Sequence, residues 1–352
     1  MAHSAFLLAA GFGTRLRPLT LHRPKPLVPV CGVPMLDYAL ALVRRHRIRP
    51  VVVNAHHLAA QIVDWARAQD PPVQVSIEQP EIQGTGGGLR DAAPLLGDRI
   101  VVVNGDILCD VDLAGLLDGL QGGVDAVMAL RRLERGEPYG VVAADAEGVV
   151  VDLIGKATAP PRGPVDRGTH FTGVHALHRR ALDPLPAQGP ACIVRQSYIT
   201  LVPDRRIGAR LHEGTWFDVG TPAAYLRANQ LAVAGELALP LDPFERAGYG
   251  VLGGREYGDS SKVFMGYGAR VIPPVWIGQG AVLESGCQVG PGSVIGRGAV
   301  IGRDAVVSAS VVWEDCPVAA GAAIRNAIVY DGGVLTPGQP IPPDEVGVHG
   351  GH

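Results

Sequence analysis

The run LAAGFGTRLRPLTLHRPKPLVPV, from Leu8 to Val30, decides how the rest of the chain is read. An apolar stretch, Ala5 to Ala10, leads into Gly11-Phe12-Gly13, then Thr14 and Arg15, then a proline-bounded loop carrying Lys25. That order predicts a buried first strand ending in a glycine turn. Every element suits a triphosphate. Glycines let backbone N–H groups approach phosphate oxygens, a forked arginine grips them, and a lysine sets a point charge beside a developing negative centre. Two better-known phosphate motifs are excluded: the last glycine of a dinucleotide fingerprint is missing, and so is the GK[ST] of a P-loop.

Outward from this segment, short apolar runs alternate with amphipathic ones as far as Gly235. Ala5–Ala9, Val51–Asn54, Val73–Ile77, Ile100–Asn104 and Ala126–Leu130 read as buried strands. Met35–His46, Leu58–Ala68, Leu89–Leu96 and Leu113–Leu120 carry the helical pattern between them. The reading is an α/β fold: a mainly parallel, Rossmann-like sheet with helices on both faces, whose ligands bind at the carboxyl ends of the strands. From Tyr139 to His212 the rhythm breaks into strand-like pieces, Val141–Ala144, Val149–Ile154 and His170–His178, expected to form an added substrate-binding lobe. A helix is predicted over Pro222–Ala234.

A different period governs the C-terminal part. Val271, Ile277, Leu283, Val289, Ile295, Ile301 and Val307 recur every six residues, several followed by glycine. Neither a helix nor an alternating strand keeps that spacing, whereas a hexapeptide repeat winds into a prism with each large apolar residue inside. Ala281, Ser293, Ala299 and Ala305 fill a second inward position, and a phase shift is expected near Val312, where Val300, Val306, Val312, Val318 and Ile324 continue a second row. This pattern resembles the left-handed parallel β-helix. The expected division is a catalytic domain over 1–235, a linker over 236–270, the β-helix over 271–330 and a flexible tail over 331–352.

Bulk properties agree with two domains. A chain of 352 residues exceeds the usual size of one hydrophobic core. A net charge of −3 argues against nucleic acid or a membrane surface as partner, and no apolar run reaches membrane-spanning length. Forty-seven glycines and 29 prolines without a collagen period suit turn-rich repeats. Five scattered cysteines without a CxxC pair point to a reducing cytoplasm, and the N-terminus lacks the pattern of a signal peptide.

The segment GFGTRLRPLTLHRPKPLVPV resembles the signature of the sugar-1-phosphate nucleotidyltransferases, which use GxGTRL, PLT and PKP in this order, and the resemblance extends to about Gln230. It implies that Ala10, Gly11, Gly13, Thr14 and Arg15 bind the nucleotide phosphates, and that Lys25 sits by the α-phosphate, with Arg15 and Lys25 as the catalytic cations. Glu78 to Gly88 resembles the family's base-binding loop, implying that Gln79, Gly84 and Thr85 contact the nucleotide. Asp106, closing the run VVVNGD, and Asp218, within WFDVGT, match the family's Mg²⁺ ligands. Mg²⁺ favours one or two carboxylates plus substrate phosphates and waters, so two aspartates suffice.

On the sugar side the resemblance implies roles for Tyr139, Gly140, Lys156 and Thr172. The family commonly shows Glu-Lys-Pro where this chain has Gly155-Lys156-Ala157, and often Asn where His170 and Thr172 stand here, so the sugar is not carried over by motif.

The expected reaction takes an NTP and a sugar 1-phosphate to a nucleotide-sugar and pyrophosphate. GTP with mannose 1-phosphate leads, because a transferase domain followed by a β-helix of this length resembles the mannose-1-phosphate guanylyltransferases. Glucose 1-phosphate or an amino-sugar 1-phosphate with a uridylyl, thymidylyl or adenylyl donor is the alternative. Two other classes are weighed. Acyl transfer by the β-helix is disfavoured because Val271–Tyr330 contains no histidine. A non-catalytic regulatory subunit is disfavoured by the intact set Arg15, Lys25, Asp106 and Asp218. The β-helix is expected to serve homo-oligomer formation.

Overall fold

The structure, a computed structural model, describes residues 3–252 and 255–338. It divides into two compact units, Met1–Phe12 with Ala39–Trp216, and Gly13–Tyr38 with Phe217–His352.

The first unit is built on a ten-stranded sheet. Gln74–Ile77, Val51–Ala55, His3–Leu8 and Arg99–Asn104 lie side by side and parallel. Phe6, Leu7, Val52, Val53, Ile100 and Val103 are completely buried, as strands covered on both faces must be. The expected helices appear as Met35–Arg45, Ala59–Arg67, Gly84–Ala92 and Leu113–Asp118. Asp112 caps the last of these by accepting the Ala114 N–H. The piece expected at Leu89–Leu96 begins five residues earlier, so Gly86, Gly87 and Gly88 lie inside a helix. Packing explains them: a Cβ at Gly86 would stand 2.9 Å from the Ile193 backbone nitrogen.

The strand-like pieces after Tyr139 do not form a lobe of their own. The long strand Val165–His178 runs antiparallel to Arg99–Asn104, Ala126–Arg132 and Val141–Asp145, and so extends the same sheet. Its register slips between Phe171 and His175, where Gly173 adopts φ +84°, a conformation open to glycine.

In the second unit, three ladders of short parallel strands form the three faces of a β-helix. Ile277, Leu283, Val289, Ile295, Ile301 and Val307 are completely buried, and Ala281, Ser293, Ala299 and Ala305 fill the smaller inward sites. Ladder partners stand three hexads apart in the early coils, Val282 beside Val300, and one residue fewer in the later ones, Val300 beside Pro317. In the ladders that cross it, the lost residue lies at the corner Ser308-Ala309-Ser310, where Ala309 takes φ +49°, and another is lost before Ile328, which stands beside Val311. The inward row therefore steps from Val307 to Val312 and Val318, while Val300 and Val306, expected in that row, are only half-buried.

Residues 236–270 are richer in structure than their weak periodicity suggests. They carry a helix at Pro243–Ala247 and a strand at Gly248–Leu252, which pairs antiparallel with Val275–Gly278 on the first full coil. Of the expected tail, Gly333–Leu335 folds back antiparallel onto Ile328–Tyr330, and residues 339–352 lie outside the described residues.

Candidate active site

Register in the parallel sheet brings three chain segments to one edge of the first unit. Leu7 pairs with Val53 and Leu8 with Asn104, so Ala9–Gly11, Asn54 and Asn104–Asp106 emerge together at the strand carboxyl ends. They line a cavity of about 200 Å³ with Glu78, Ile82, Gly84 and Thr85. Its floor is a buried polar chain. Asn54 Oδ1 accepts the Ala9 N–H at 2.6 Å, Asn54 Nδ2 donates to Glu78 Oε1 at 2.7 Å, and Glu78 Oε2 accepts the Gln83 N–H at 2.6 Å. Gly88 leaves room for this carboxylate, since a Cβ there would lie 2.2 Å from Glu78 Oε1.

Ala10, Gly11, Gly84, Thr85 and Asp106 thus gather around one cavity. Gln79 is exposed, and at that point of the chain the wall is Glu78. The Thr85 hydroxyl accepts the Ile193 N–H at 3.1 Å, tying the rim to the segment Ile193–Tyr198.

The cations lie in the second unit. Gly13, at φ +62°, precedes the short 3₁₀ turn Thr14–Leu16, and its carbonyl accepts from the Thr20 hydroxyl and the Leu16 N–H at 2.9 Å each. Lys25 opens a second 3₁₀ turn, Lys25–Leu27, between Pro24 and Pro26. Its ammonium and the Arg15 guanidinium each stand 3.9 Å from an oxygen of Asp218. Lys25 is 7% exposed, whereas the Arg15 side chain is 69% exposed. Gly220 keeps the space open, because a Cβ there would come within 3.2 Å of both Arg15 and Asp218.

The sugar-side residues are divided. Tyr139 stacks on His170 at 4.5 Å between ring centroids and meets Trp216 edge-on at 5.5 Å. Arg131 lies over the Trp216 ring and donates to both oxygens of Glu137. His170 Nδ1 lies 3.1 Å from the Phe171 carbonyl and Nε2 lies 3.2 Å from Arg131, so Nδ1 carries the proton and Nε2 accepts. Burial, then the Arg131 charge, lowers its pKa and keeps the ring neutral. The Thr172 hydroxyl is buried and donates to the Ala129 carbonyl at 2.9 Å, which commits it to the bulge. Gly140 packs on Ile154, where a Cβ would sit 2.7 Å from Cγ2, and Lys156 is exposed on a turn.

Among the described residues no group of three His, Cys, Asp or Glu side chains is placed to hold a metal ion. A hard divalent cation does not need one: a lone carboxylate such as Asp106 or Asp218, completed by phosphate oxygens and water, fits that chemistry.

The cavity at strand carboxyl ends in the first unit and the glycine turn running into two cations in the second are each features that phosphate chemistry uses. The description "Nucleotidyl transferase" matches residues 4–234, and "GMPPB C-terminal domain" matches residues 271–337. The chain belongs to the nucleotidyl transferase family, is an enzyme of that class, and shares its use of a divalent metal. It is 29% identical over 295 residues to a mannose-1-phosphate guanylyltransferase of Mycobacterium tuberculosis, covering 82% of this chain and 76% of the relative. It is 31% identical over 235 residues to an N-acetylmuramate alpha-1-phosphate uridylyltransferase of Neisseria meningitidis serogroup B, covering 65% of this chain and 98% of the relative. The crystal structure of HddC from Yersinia pseudotuberculosis complexed with GMP-PN superposes with a TM-score of 0.53 at 21% identity, over 64% of this chain and 98% of that one, a likeness of fold.

Motif reading passed over Asn54, Glu78, Arg131 and Trp216. Glu78 and Trp216 each open a quoted motif, one just past the half-exposed strand Gln74–Ile77 and the other at the head of the half-buried strand Trp216–Asp218. Asn54 lies near the end of a buried strand, yet a lone asparagine there reads equally well as a turn residue.

Proposed function

We propose that this chain joins GTP and mannose 1-phosphate to give GDP-mannose and pyrophosphate, with Mg²⁺ as the divalent ion. The observation that carries this reading is the succession of the two matched regions, a nucleotidyl transferase at 4–234 and a GMPPB-type C-terminal domain at 271–337. The mycobacterial relative named for that reaction, which spans most of this chain, supports it.

In this reading Ala10, Gly11, Gly13 and Thr14 present backbone to the triphosphate, while Gln79, Gly84 and Thr85 border the base. A phosphate oxygen of the sugar 1-phosphate attacks the α-phosphorus in line; that P–O bond forms as the bridge to the β-phosphorus breaks and pyrophosphate leaves. Arg15 and Lys25 neutralise the charge that accumulates. Asp106 and Asp218 would hold the metal, which would supply charge screening at the phosphates. Tyr139, Gly140 and Lys156 face the sugar phosphate, with Thr172 shaping the wall behind them. No protein nucleophile is required. Residues 1–235 form the catalytic part, 236–270 connect it, and the β-helix of 271–330 supplies a homo-oligomer surface, which the exposed Phe264 and Met265 of the connector extend by pairing with Val282–Leu283. All five cysteines are unpaired, which suits a cytoplasmic enzyme.

The neisserial relative favours a second reading, a uridylyltransferase acting on an amino-sugar 1-phosphate. One experiment separates them: pyrophosphate release with Mg²⁺ across GTP, UTP, dTTP, ATP and CTP against mannose, glucose and amino-sugar 1-phosphates. GTP with mannose 1-phosphate is expected to dominate. Preference for UTP with an amino-sugar phosphate replaces the substrates, and silence across the grid overturns the enzyme reading in favour of a regulatory subunit. Asp106→Ala is expected to be inactive and Lys25→Ala to lose about 10²–10³-fold in kcat, and full activity in either sinks the mechanism.

A further inference from the structure

Two residues before Lys25, the Arg23 guanidinium pairs with the Glu314 carboxylate and lies 4.4 Å over the Trp313 ring. Glu314 and Trp313 belong to the β-helix, directly after the strand Val311–Val312. Burial pushes the Glu314 carboxyl up, but Arg23 and Arg297 outweigh it and hold the group below its usual range, so it stays ionised. The same Trp313 makes a second tie. Its indole N–H donates to the Tyr225 hydroxyl at 2.9 Å, and that hydroxyl donates to the Pro29 carbonyl at 2.7 Å. Further along the loop, Gly32 rests on the Trp276 ring, where a Cβ would come within 2.0 Å.

These ties flank Lys25 on both sides in sequence. Between Arg23 and Lys25 stands Pro24, and Pro26 follows, so ring closure fixes φ on either side of the lysine. The link from the Arg23 anchor to the Lys25 backbone is therefore short and stiff. Beneath the loop lies a cavity of about 250 Å³, lined by Arg23, Leu27, Pro34, Val294 and Arg297 among others. Pro24, Pro26, Val28 and Val30 of the loop are buried, while Arg23 is half-buried and borders this cavity. Losing the Arg23 tie leaves that edge of the loop room to shift.

We propose that Arg23 is a positioning residue, clamped by Glu314 and Trp313, and that the late coils of the β-helix thereby set the place of Lys25. This rests on the reading of Lys25 as the cation at the reacting phosphate, and it gives the β-helix a part in the catalytic step beyond assembly.

Two measurements on the full-length protein test it. The first does not depend on turnover: amine-directed labelling followed by mass spectrometry, with the exposed Lys156 as internal reference. In Glu314→Gln and Arg23→Ala, labelling of Lys25 is expected to rise about threefold or more relative to Lys156, because one charge-assisted tie is lost. An unchanged ratio in both variants overturns the proposal, whatever the substrates prove to be. The second is steady-state kinetics on the substrate pair found active. Arg23→Ala is expected to lower kcat about tenfold with KM within about twofold, and Arg23→Lys to recover part of the loss. In a Lys25→Ala background, removing Arg23 should cost nothing further, since both changes act through one group. Additive losses, or a loss confined to KM, overturn the positioning role. A wild-type protein silent with every substrate, yet showing the labelling change, would sink the proposed reaction and leave the clamp standing.

Discussion

Around Asn54 and Glu78 the polar groups bond one another at 2.6–2.7 Å within a buried chain that ends on backbone N–H groups. Around Lys25 and Arg15 the facing carboxylate stands 3.9 Å from both cations, beyond hydrogen-bond reach. The first arrangement fixes a shape before anything binds. The second gathers two positive charges near one aspartate. Buried, saturated groups suit recognition, and clustered cations suit transition-state stabilisation.

The largest effect tests that division at its cationic end. Lys25→Ala is expected to lower kcat by about 10²–10³-fold with a small change in KM for the nucleotide, as for the removal of a group that acts on developing charge. Measured kcat and KM for both substrates decide it. A rise in KM with kcat intact would move Lys25 to the recognition side and erase the distinction.

At the other end stands Glu78→Ala. It leaves the Gln83 N–H and the Asn54 amide without their acceptor, at a cost of about 1–3 kcal/mol in stability. KM for the nucleotide is expected to rise about tenfold while kcat stays within about threefold, the signature of lost uniform binding. Thermal melting and steady-state kinetics check both parts. A collapse of kcat with KM unchanged would show that the cavity floor takes part in the chemical step.

The contrast also explains what could be read from sequence. The gathering of Arg15 and Lys25 was legible because Gly13, Thr14, Arg15 and Lys25 fall within one turn-rich segment whose composition has few structural uses. The β-helix was legible because a period of six admits few folds, and its phase shift was visible even though the half-buried Val300 and Val306 were set in the wrong row. The cavity floor was not legible. Asn54 and Glu78 meet only because parallel strands align Val53 with Val75 and Leu7 with Val53, a pairing that local composition does not encode. Motif matching assigns the base contact to Gln79, which is exposed, and its neighbour Glu78 lines the cavity. The tie of Arg23 to Glu314 spans 291 positions, and neither residue carries a motif that announces the other.

The smallest expected effect sharpens the boundary between the two plans at Thr85. This residue lines the cavity, and the family resemblance gives it to the nucleotide, yet its hydroxyl already accepts the Ile193 N–H at 3.1 Å. Thr85→Val keeps the branched shape and removes the acceptor. If the hydroxyl serves the fold, the variant loses about 1 kcal/mol, a melting shift of a few degrees, with KM for the nucleotide within about twofold. If the hydroxyl turns to the nucleotide on binding, KM rises by about tenfold while the free protein melts almost as before. The geometry favours the first result, because the Ile193 N–H would otherwise lack its acceptor beside the tightly packed Gly86, where even a Cβ does not fit. Finding the second would mean that the rim opens to receive its ligand, and that the cavity is less preorganised than the hydrogen-bonded chain beneath it.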